Sequence, residues 1–137
     1  MAVTVFNGFT RIIGGCISAN PVKPLQIIMN NTSVSGQCNS SSQCTATTNS
    51  ASGTANNGVL PYAYSWEVVS DPNNDFTIDS PNSNSTTFSA NVVCNVLGCS
   101  GSTINGTFRL KVTDALGKIV YGENVSVSVC NTSTTCV

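Results

Sequence analysis

From residue 25 onward, apolar and polar side chains alternate along the chain with a period of two. In the clearest segment, Phe108, Leu110 and Val112 alternate with polar or charged neighbours. A period of two places the apolar side chains on one face of an extended strand, as in antiparallel sheets with one buried face. No segment has the apolar spacing of a helix, so the pattern predicts an all-β chain. The other alternating sets are Leu25, Ile27 and Met29; Tyr62, Tyr64, Trp66 and Val68; Thr86, Phe88, Ala90 and Val92; and Val125, Val127 and Val129.

Clusters of Asn, Asp, Pro and Gly separate these segments and mark the predicted turns. They stand at residues 56–58, 71–74, 81–82 and 114–117. With a weakly apolar segment at 43–51 included, the chain has about seven predicted strands, which is typical of an Ig-like antiparallel β-sandwich. The cysteine pair that joins the sheets of antibody domains is absent from this pattern, whereas Trp66 fits the core tryptophan of the third strand. The predicted core comprises Tyr64, Trp66, Phe88, Phe108, Leu110 and Val112.

The first 24 residues have a different pattern from the rest of the chain. Two short apolar stretches, at residues 3–5 and 9–13, are followed by two glycines and then by two prolines, which interrupt regular structure. We interpret residues 1–24 as an N-terminal extended arm or hairpin and residues 25–137 as the sandwich domain. The alternative is that residues 1–24 form the first strand pair of that domain. The apolar residues of the predicted attachment arm are Val3, Val5, Phe9, Ile12 and Ile13.

The surface of this protein is predicted to be neutral but polar. Charged residues make up 8% of the chain and the net charge is −1, while Ser, Thr and Asn together occupy 52 of the 137 positions. A few scattered cations cannot neutralise a run of phosphates, so we expect no nucleic-acid partner. The absence of histidine removes the commonest general base and metal ligand. We therefore expect no enzymatic activity and no cofactor. No apolar run is long enough to cross a membrane.

Six of the seven cysteines form three close pairs along the sequence. Their spacing and the lack of histidine fit structural zinc poorly, so disulfides are the favoured interpretation, with buried free thiols as the alternative. Connectivity cannot be derived from sequence, but pairing of near neighbours needs the least tertiary coincidence. This local scheme joins Cys38 to Cys44, Cys94 to Cys99 and Cys130 to Cys136. The seventh cysteine, Cys16, is either a buried thiol or a link between subunits.

The predicted disulfides bear on where the protein resides. They require an oxidising compartment, yet no signal peptide is visible at the N-terminus. A protein made in a cytoplasm and released by lysis satisfies both observations. We therefore expect a virion or extracellular location after lysis.

The acidic residues are the remaining candidates for catalytic or metal-binding groups. They are Glu67, Asp71, Asp75, Asp79, Asp114 and Glu123. Asp71 and Asp75 match the start of a calcium-binding loop, but Phe76 stands where the glycine belongs and Asn82 where the bidentate acid belongs. A solvated turn is the favoured interpretation, with a looser calcium site as the alternative. Asp114 begins a predicted hairpin turn, in which its carboxylate can accept hydrogen bonds from backbone amides.

Three segments carry a resemblance to a known family, namely residues 61–66 (PYAYSW), 79–89 (DSPNSNSTTFS) and 106–117 (GTFRLKVTDALG). They resemble PKD-type and related Ig-like modules of bacterial surface proteins and of virion proteins of tailed bacteriophages. The resemblance covers about residues 25–130. It implies a β-sandwich that serves as a spacer, a decoration or an adhesive unit, since a fold alone does not define a function.

Together these features predict a non-enzymatic structural protein of a phage virion, either a head decoration or a tail or collar component. It would dock on the particle through its arm, and its partners would be capsid or tail subunits and further copies of itself in a homo-oligomer. One alternative is an extracellular adhesin or glycan-binding Ig-like module. The parity of Tyr62, Tyr64 and Trp66 favours core positions over an exposed sugar platform, whereas Tyr121 has no assigned place. Another alternative is a subunit of a strand-exchanged filament.

Overall fold

The computed structural model describes residues 23–137, and this part of the chain is almost entirely β-structure, which confirms the all-β prediction. The elements are, in chain order, β1 (Gln26–Met29), β2 (Ser33–Cys38), β3 (Gln43–Thr47), β4 (Ala51–Asn56), β5 (Ala63–Ser70), β6 (Phe76–Ile78), β7 (Ser85–Thr86), β8 (Phe88–Val93), the short helix α1 (Cys99–Ser102), β9 (Ile104–Thr113), β10 (Ile119–Tyr121) and β11 (Val125–Asn131). The predicted arm residues Val3, Val5, Phe9, Ile12 and Ile13, together with Cys16, lie outside the described residues.

The long strand β9 lies at the centre of the first sheet. β5 is antiparallel to it along one edge, and β10 and β11 are antiparallel to it along the other. The register pairs Leu110 with Trp66 on one side and Ile104 with Val129 on the other. β2 completes the sheet by pairing in parallel with β11. Both edges of β9 are therefore hydrogen-bonded, as expected of a strand whose apolar face is fully buried.

The second layer consists of two short sheets with the orders β1–β4–β7 and β3–β8–β6. Two chain segments run through both sheets. Only residues 48–50 separate β3 from β4, and only Thr87 separates β7 from β8. Thr48 spans the interruption, since its backbone amide donates to the Phe88 carbonyl at 2.9 Å and its hydroxyl accepts the Phe88 amide at 3.0 Å. The weakly apolar segment predicted as a strand at 43–51 is thus β3 and the start of β4.

Aromatic side chains from both layers meet in the core. The Phe88 and Phe108 rings lie 4.5 Å apart, and Trp66 packs edge-on against Phe88 at 5.7 Å. The Trp66 indole nitrogen donates to the Ser83 carbonyl at 2.9 Å, so its one polar atom is satisfied. Of the six residues expected in the core, Tyr64 is half-buried and packs against the cluster. The other five are buried: Trp66, Phe88, Phe108, Leu110 and Val112.

The six paired cysteines form three disulfides, but the local pairing scheme is wrong for two of them. The bridges are Cys38–Cys44, Cys94–Cys136 and Cys99–Cys130. β11 returns beside the start of β9, and this brings Cys130 next to the helical turn that carries Cys99. The C-terminal segment then passes the Cys94 loop. Tertiary pairing of strands therefore overrides proximity along the chain.

The three bridges are expected to differ in their contribution to stability. Cys99–Cys130 closes a loop with a sequence separation of 31, against 6 for Cys38–Cys44. Because Cys94–Cys136 encloses the Cys99–Cys130 loop, each of these two bridges supplies much of the other's loop closure. Loop-closure entropy gives about 6–7 kcal/mol for these two bridges together and about 2 kcal/mol for Cys38–Cys44. Urea unfolding of a variant with all four cysteines of the nested bridges replaced by alanine, compared with Cys38→Ala/Cys44→Ala, measures this difference. Equal losses would contradict it, and disulfide mapping by non-reducing mass spectrometry checks the pairing itself.

A close backbone approach between β2 and β3 requires a glycine at position 36. A Cβ placed on Gly36 would lie 2.2 Å from the Thr47 carbonyl oxygen, and backbone atoms cannot rotate away as side chains do. We expect Gly36→Ala to lower the free energy of unfolding by about 2 kcal/mol or more. Ser35→Ala, at the exposed neighbouring position, is the control and should change it by less than about 0.5 kcal/mol. Equal midpoints for both variants in thermal or urea unfolding would refute the steric explanation.

Candidate interaction surface

One end of the molecule, called here the lysine end, is formed by residues 23–25 and by the loops 57–62 and 114–118. The two loops meet because Ala63, at the start of β5, pairs with Thr113, at the end of β9. Leu25 is buried beneath them. The described part of the chain therefore begins at this end, beside both loops.

Asp114 joins the two loops through its carboxylate, although it is itself nearly buried. One oxygen accepts the backbone amides of Leu116 at 3.0 Å and Lys118 at 2.9 Å, and the other accepts the Val59 amide at 3.1 Å. The Ala115 amide in turn donates to the Val59 carbonyl at 2.9 Å. The predicted role of Asp114 as a turn cap thus extends across to the neighbouring loop.

The environment of Asp114 shifts its acidity in a direction that can be assigned to causes. Burial raises the pKa, but the backbone hydrogen bonds from Lys118, Val59 and Leu116, together with the Lys118 charge, outweigh it. The net result is a pKa below the ordinary value for aspartate. The carboxylate is therefore ionised at neutral pH and the loop pair stays locked.

Gly58 allows the close packing beneath these loops. Its φ is +66°, a region that L-residues rarely adopt, and an added Cβ would lie 2.9 Å from a Leu25 methyl group. The locked loops in turn present two leucines to solvent, Leu60 at 71% exposure and Leu116 at 74%. Beside Leu116 lies a groove of about 350 Å³, lined by Lys23, Pro24, Leu25, Gly58, Val59, Asp114, Leu116 and Lys118.

The opposite end, called here the cystine end, holds all three disulfides. It comprises the segment 38–44, residues 71–75, the loop 94–103 and the C-terminal segment 130–136. Asn131 fastens this end: its side chain accepts the Ser40 and Ser133 amides and donates to the Ser40 carbonyl. The Ser102 hydroxyl donates to the Asn131 carbonyl at 2.9 Å. The end is thus cross-linked both covalently and by buried hydrogen bonds.

Apolar side chains are also exposed at the cystine end. Val96 is 69% and Leu97 is 66% exposed, and Val93 at the end of β8 is exposed as well. A groove of about 350 Å³ lies beside them. Its lining brings together an acidic residue and an apolar one, Asp75 and Val93, with Asn73, Asn91, Gly101, Thr103 and Ile104.

The outer face of the first sheet carries a small charged cluster. Arg109 and Lys111 both pair with Glu67, at 3.2 Å and 3.8 Å. The Arg109 guanidinium also lies 3.9 Å from the centroid of the Tyr121 ring, which is 47% exposed. Tyr121, which the sequence pattern left unassigned, is thus stacked with Arg109, so one face of its ring is occupied.

The outer face of the second layer is built from neutral hydroxyl and amide groups that bond across strands. Thr45 donates to Asn91 at 2.8 Å, and the Thr47 and Ser89 hydroxyls lie 2.9 Å apart. Asp79 accepts from Ser89 at 2.8 Å and from Thr87 at 2.6 Å. This face satisfies much of its own hydrogen-bonding capacity.

The acidic turn considered as a calcium loop is a hydrogen-bonded turn in the structure. The two carboxylate oxygens of Asp71 accept the backbone amides of Asp75 at 2.9 Å and Phe76 at 3.1 Å. Within residues 23–137, no group of three or more His, Cys, Asp or Glu side chains is arranged to hold a metal ion. The geometry of Asp71 is that of a turn cap.

The exposed apolar residues at the two ends were not identified from the sequence. Leu60 and Leu116 stand next to or within predicted turns, and Val96 and Leu97 stand between two cysteines. The available signal was an isolated large apolar residue among turn-forming ones. Only the fold brings Leu60 next to the Leu116 loop at one end of the first sheet and places Val96 and Leu97 at the other end.

No protein-family model matches the chain, and a comparison with curated protein sequences finds no match. In the part of the chain from residue 23 to 137, no helix has the length and apolar character needed to cross a membrane. The function is therefore inferred from the residues and their geometry.

The lowered pKa of Asp114 predicts a pH-dependent contribution to stability. A carboxylate with a depressed folded-state pKa stabilises the fold above its unfolded value, about pH 4, and loses this effect as the pH falls through the folded pKa. Asp114→Asn should reduce stability at neutral pH and flatten its pH dependence. Urea midpoints measured between about pH 2 and pH 6 test this. Asp75→Asn is the control, because the Asp75 carboxylate accepts no hydrogen bond from residues 23–137; equal pH slopes for both variants would contradict the assignment.

Proposed function

We propose that the protein is a non-enzymatic structural subunit of a tailed-phage virion, an Ig-like module that decorates the head or forms part of the tail or collar. The observation that carries the proposal is the division of its surface. The two sheet faces carry few charges and many cross-strand hydrogen bonds, with apolar side chains such as Val68 about half exposed, whereas more exposed ones such as Leu116 and Leu97 lie at the ends. Such a body is suited to contacts at its ends within an assembly.

The strand order supports the Ig-like part of the proposal. Seven strands result when β1 with β2, β3 with β4, β7 with β8, and β10 with β11 are each counted as one interrupted strand. One layer then has the order first, second, fifth, fourth, and the other has third, sixth, seventh, with β2 added alongside the seventh. This order, obtained with the strands merged in that way, resembles that of an immunoglobulin-type sandwich and so supports the proposal. Trp66 on the third strand packs into the core as such domains require.

The surface chemistry supports a packed assembly. Neutral hydroxyls and amides lose less solvation free energy on contact than charges do, and they avoid like-charge repulsion between crowded copies. The Thr45–Asn91 and Thr47–Ser89 contacts also leave few polar groups that need a new partner. Copies can therefore lie close together without an electrostatic penalty.

The disulfides support a location outside the reducing cytoplasm. Three bridges in a chain of this length fit an oxidising setting, as on a released particle. They also fasten the strand ends against unfolding. Both properties suit a component exposed to the medium for long periods.

The proposed attachment element is the arm, residues 1–24. It joins the domain at the lysine end, where Lys23 and Pro24 line the groove. Its alternating apolar residues are suited to adding a strand to the sheet edge of a neighbouring capsid or tail subunit. Partners in this proposal are thus other virion proteins and further copies of the chain.

Removal of residues 1–20 tests the attachment. We expect the truncated protein to fold, because the core and the three disulfides lie within residues 23–137, and to lose most of its occupancy on particles. Quantitative mass spectrometry of purified particles measures occupancy, with Val68→Ser, an exposed mid-sheet substitution, as the control. Full occupancy of the truncated protein would disprove the arm's role. Absence of the intact protein from particles, together with a genomic neighbourhood lacking capsid and tail genes, would disprove the virion function.

A further inference from the structure

We propose that copies of this chain associate end to end, with the lysine end of one copy docked on the cystine end of the next. The occupant of each end is thus a second copy. The interface uses only residues 23–137, so it depends neither on residues 1–22 of the arm nor on a phage origin. It goes beyond the proposed attachment to other virion proteins.

The first argument is apolar complementarity. The lysine end exposes Leu60 and Leu116, and the cystine end exposes Val96 and Leu97, each with two thirds or more of its surface in solvent. These pairs lie at opposite ends of the strand β9, about 30 Å apart. Burying exposed apolar surface is the main driving force of association. Neither pair can be buried against the other within one copy.

The second argument is the charge at each end. Lys118 is exposed at the lysine end, and Asp75 is exposed at the cystine end. Neither belongs to an ion pair within residues 23–137. The lysine end also holds the ionised Asp114, but its carboxylate is nearly buried and engaged by three backbone amides, so the exposed charges at this end are those of Lys23 and Lys118. Docking unlike ends therefore brings a free cation toward a free anion, which favours one orientation.

The charges also disfavour a contact between two like ends. Two lysine ends placed face to face would bring Lys118 of both copies together, and two cystine ends would do the same with Asp75. Like charges in contact destabilise an interface. The contact is therefore heterologous, and it builds either a closed ring or an open row of copies, depending on whether the rotation between neighbours closes.

The groove at each end matches the side chains that the next copy would present to it. The groove at the lysine end places Lys118 beside Leu116, and the groove at the cystine end places Asp75 beside Val93. Each measures about 350 Å³, room for one or two side chains. Leu97 or Val96 of one copy can thus enter the groove beside Leu116 of the next, while the two charges meet at the rim.

Charge reversal in the full chain tests the proposal. Lys118→Glu should disable the lysine end and Asp75→Lys the cystine end, each reducing the association constant of the full chain at least about tenfold in sedimentation velocity. Glu123→Lys, an exposed charge reversal midway along the sheet, is the matched control and should leave association unchanged. Leu116→Ser and Leu97→Ser should have effects similar to the charge reversals, with Val68→Ser as their control.

Mixing provides the decisive measurement. Each reversed protein alone should associate weakly, because both of its ends then carry charge of the same sign. Equal amounts of the Lys118→Glu and Asp75→Lys proteins should associate with each other in alternating order, because every junction between them joins a cationic end to an anionic one. The double variant Lys118→Glu/Asp75→Lys should regain association with itself. Thermal unfolding of each variant confirms that it is folded, so a loss of association reports on the interface.

Three results would overturn the proposal. One is a wild-type protein that stays monomeric up to about 1 mM, where even a weak contact is populated. Another is a mixture of the two reversed variants that remains monomeric. The third is association that survives both reversals but is lost when residues 1–20 are removed, which would assign the contact to the arm. Particle occupancy is measured separately, so failure here is distinguishable from failure of the virion function.

Discussion

Strand β9 determines how the other strands of residues 23–137 are arranged. Both of its edges are hydrogen-bonded, and the side chains of Phe108, Leu110 and Val112 are completely buried. Phe108, Leu110 and Val112 face the second layer, while β5, β10 and β11 are held in register along its sides. The two ends of this strand also set the two ends of the molecule. The helical turn with Cys99 leads into it, and the Asp114 turn leads out of it. A shift in its register would therefore move the core, a disulfide and the loop pair together.

The sequence pattern was sufficient for the strands whose faces differ strongly in polarity. β9, β8 and β11 each bury one face, so a period of two identifies them, with Phe108 in the core. β5 follows the pattern at Tyr64 and Trp66 but not at Val68, which is 55% exposed next to a register shift in its pairing with β9. β3 and β4 are weaker, because small residues such as Ala46 and Ala51 fill their inner face. Contacts between distant segments could not be read in this way. The Cys94–Cys136 bridge and the approach of Gly36 to Thr47 depend on how strands return to one another in space.

The candidate surfaces likewise combine features that local sequence predicts with features that depend on contacts between distant segments. The turn-capping role of Asp114 follows from local chemistry, since an aspartate at the start of a turn accepts nearby amides. Its bond to Val59 does not, because the two residues are separated in sequence and meet only through the pairing of Ala63 with Thr113. Exposed leucines within turns have no periodicity to mark them. Their significance depends on which turns share an end, and that is a property of the topology.

Because the surface has few charges, those few charges determine how another molecule is oriented when it makes contact. With 8% charged residues, most of the outer faces consist of hydroxyls and amides, which discriminate poorly between alternative contacts. Screening limits charge effects to about 8 Å at physiological ionic strength, so only charges at a contact influence it. Glu67 pairs with both Arg109 and Lys111 in the middle of a sheet, so most of the charge there is compensated. In the end-to-end contact that we propose, the exposed charges at the ends select the orientation, and the neighbouring leucines and valines supply the free energy of contact.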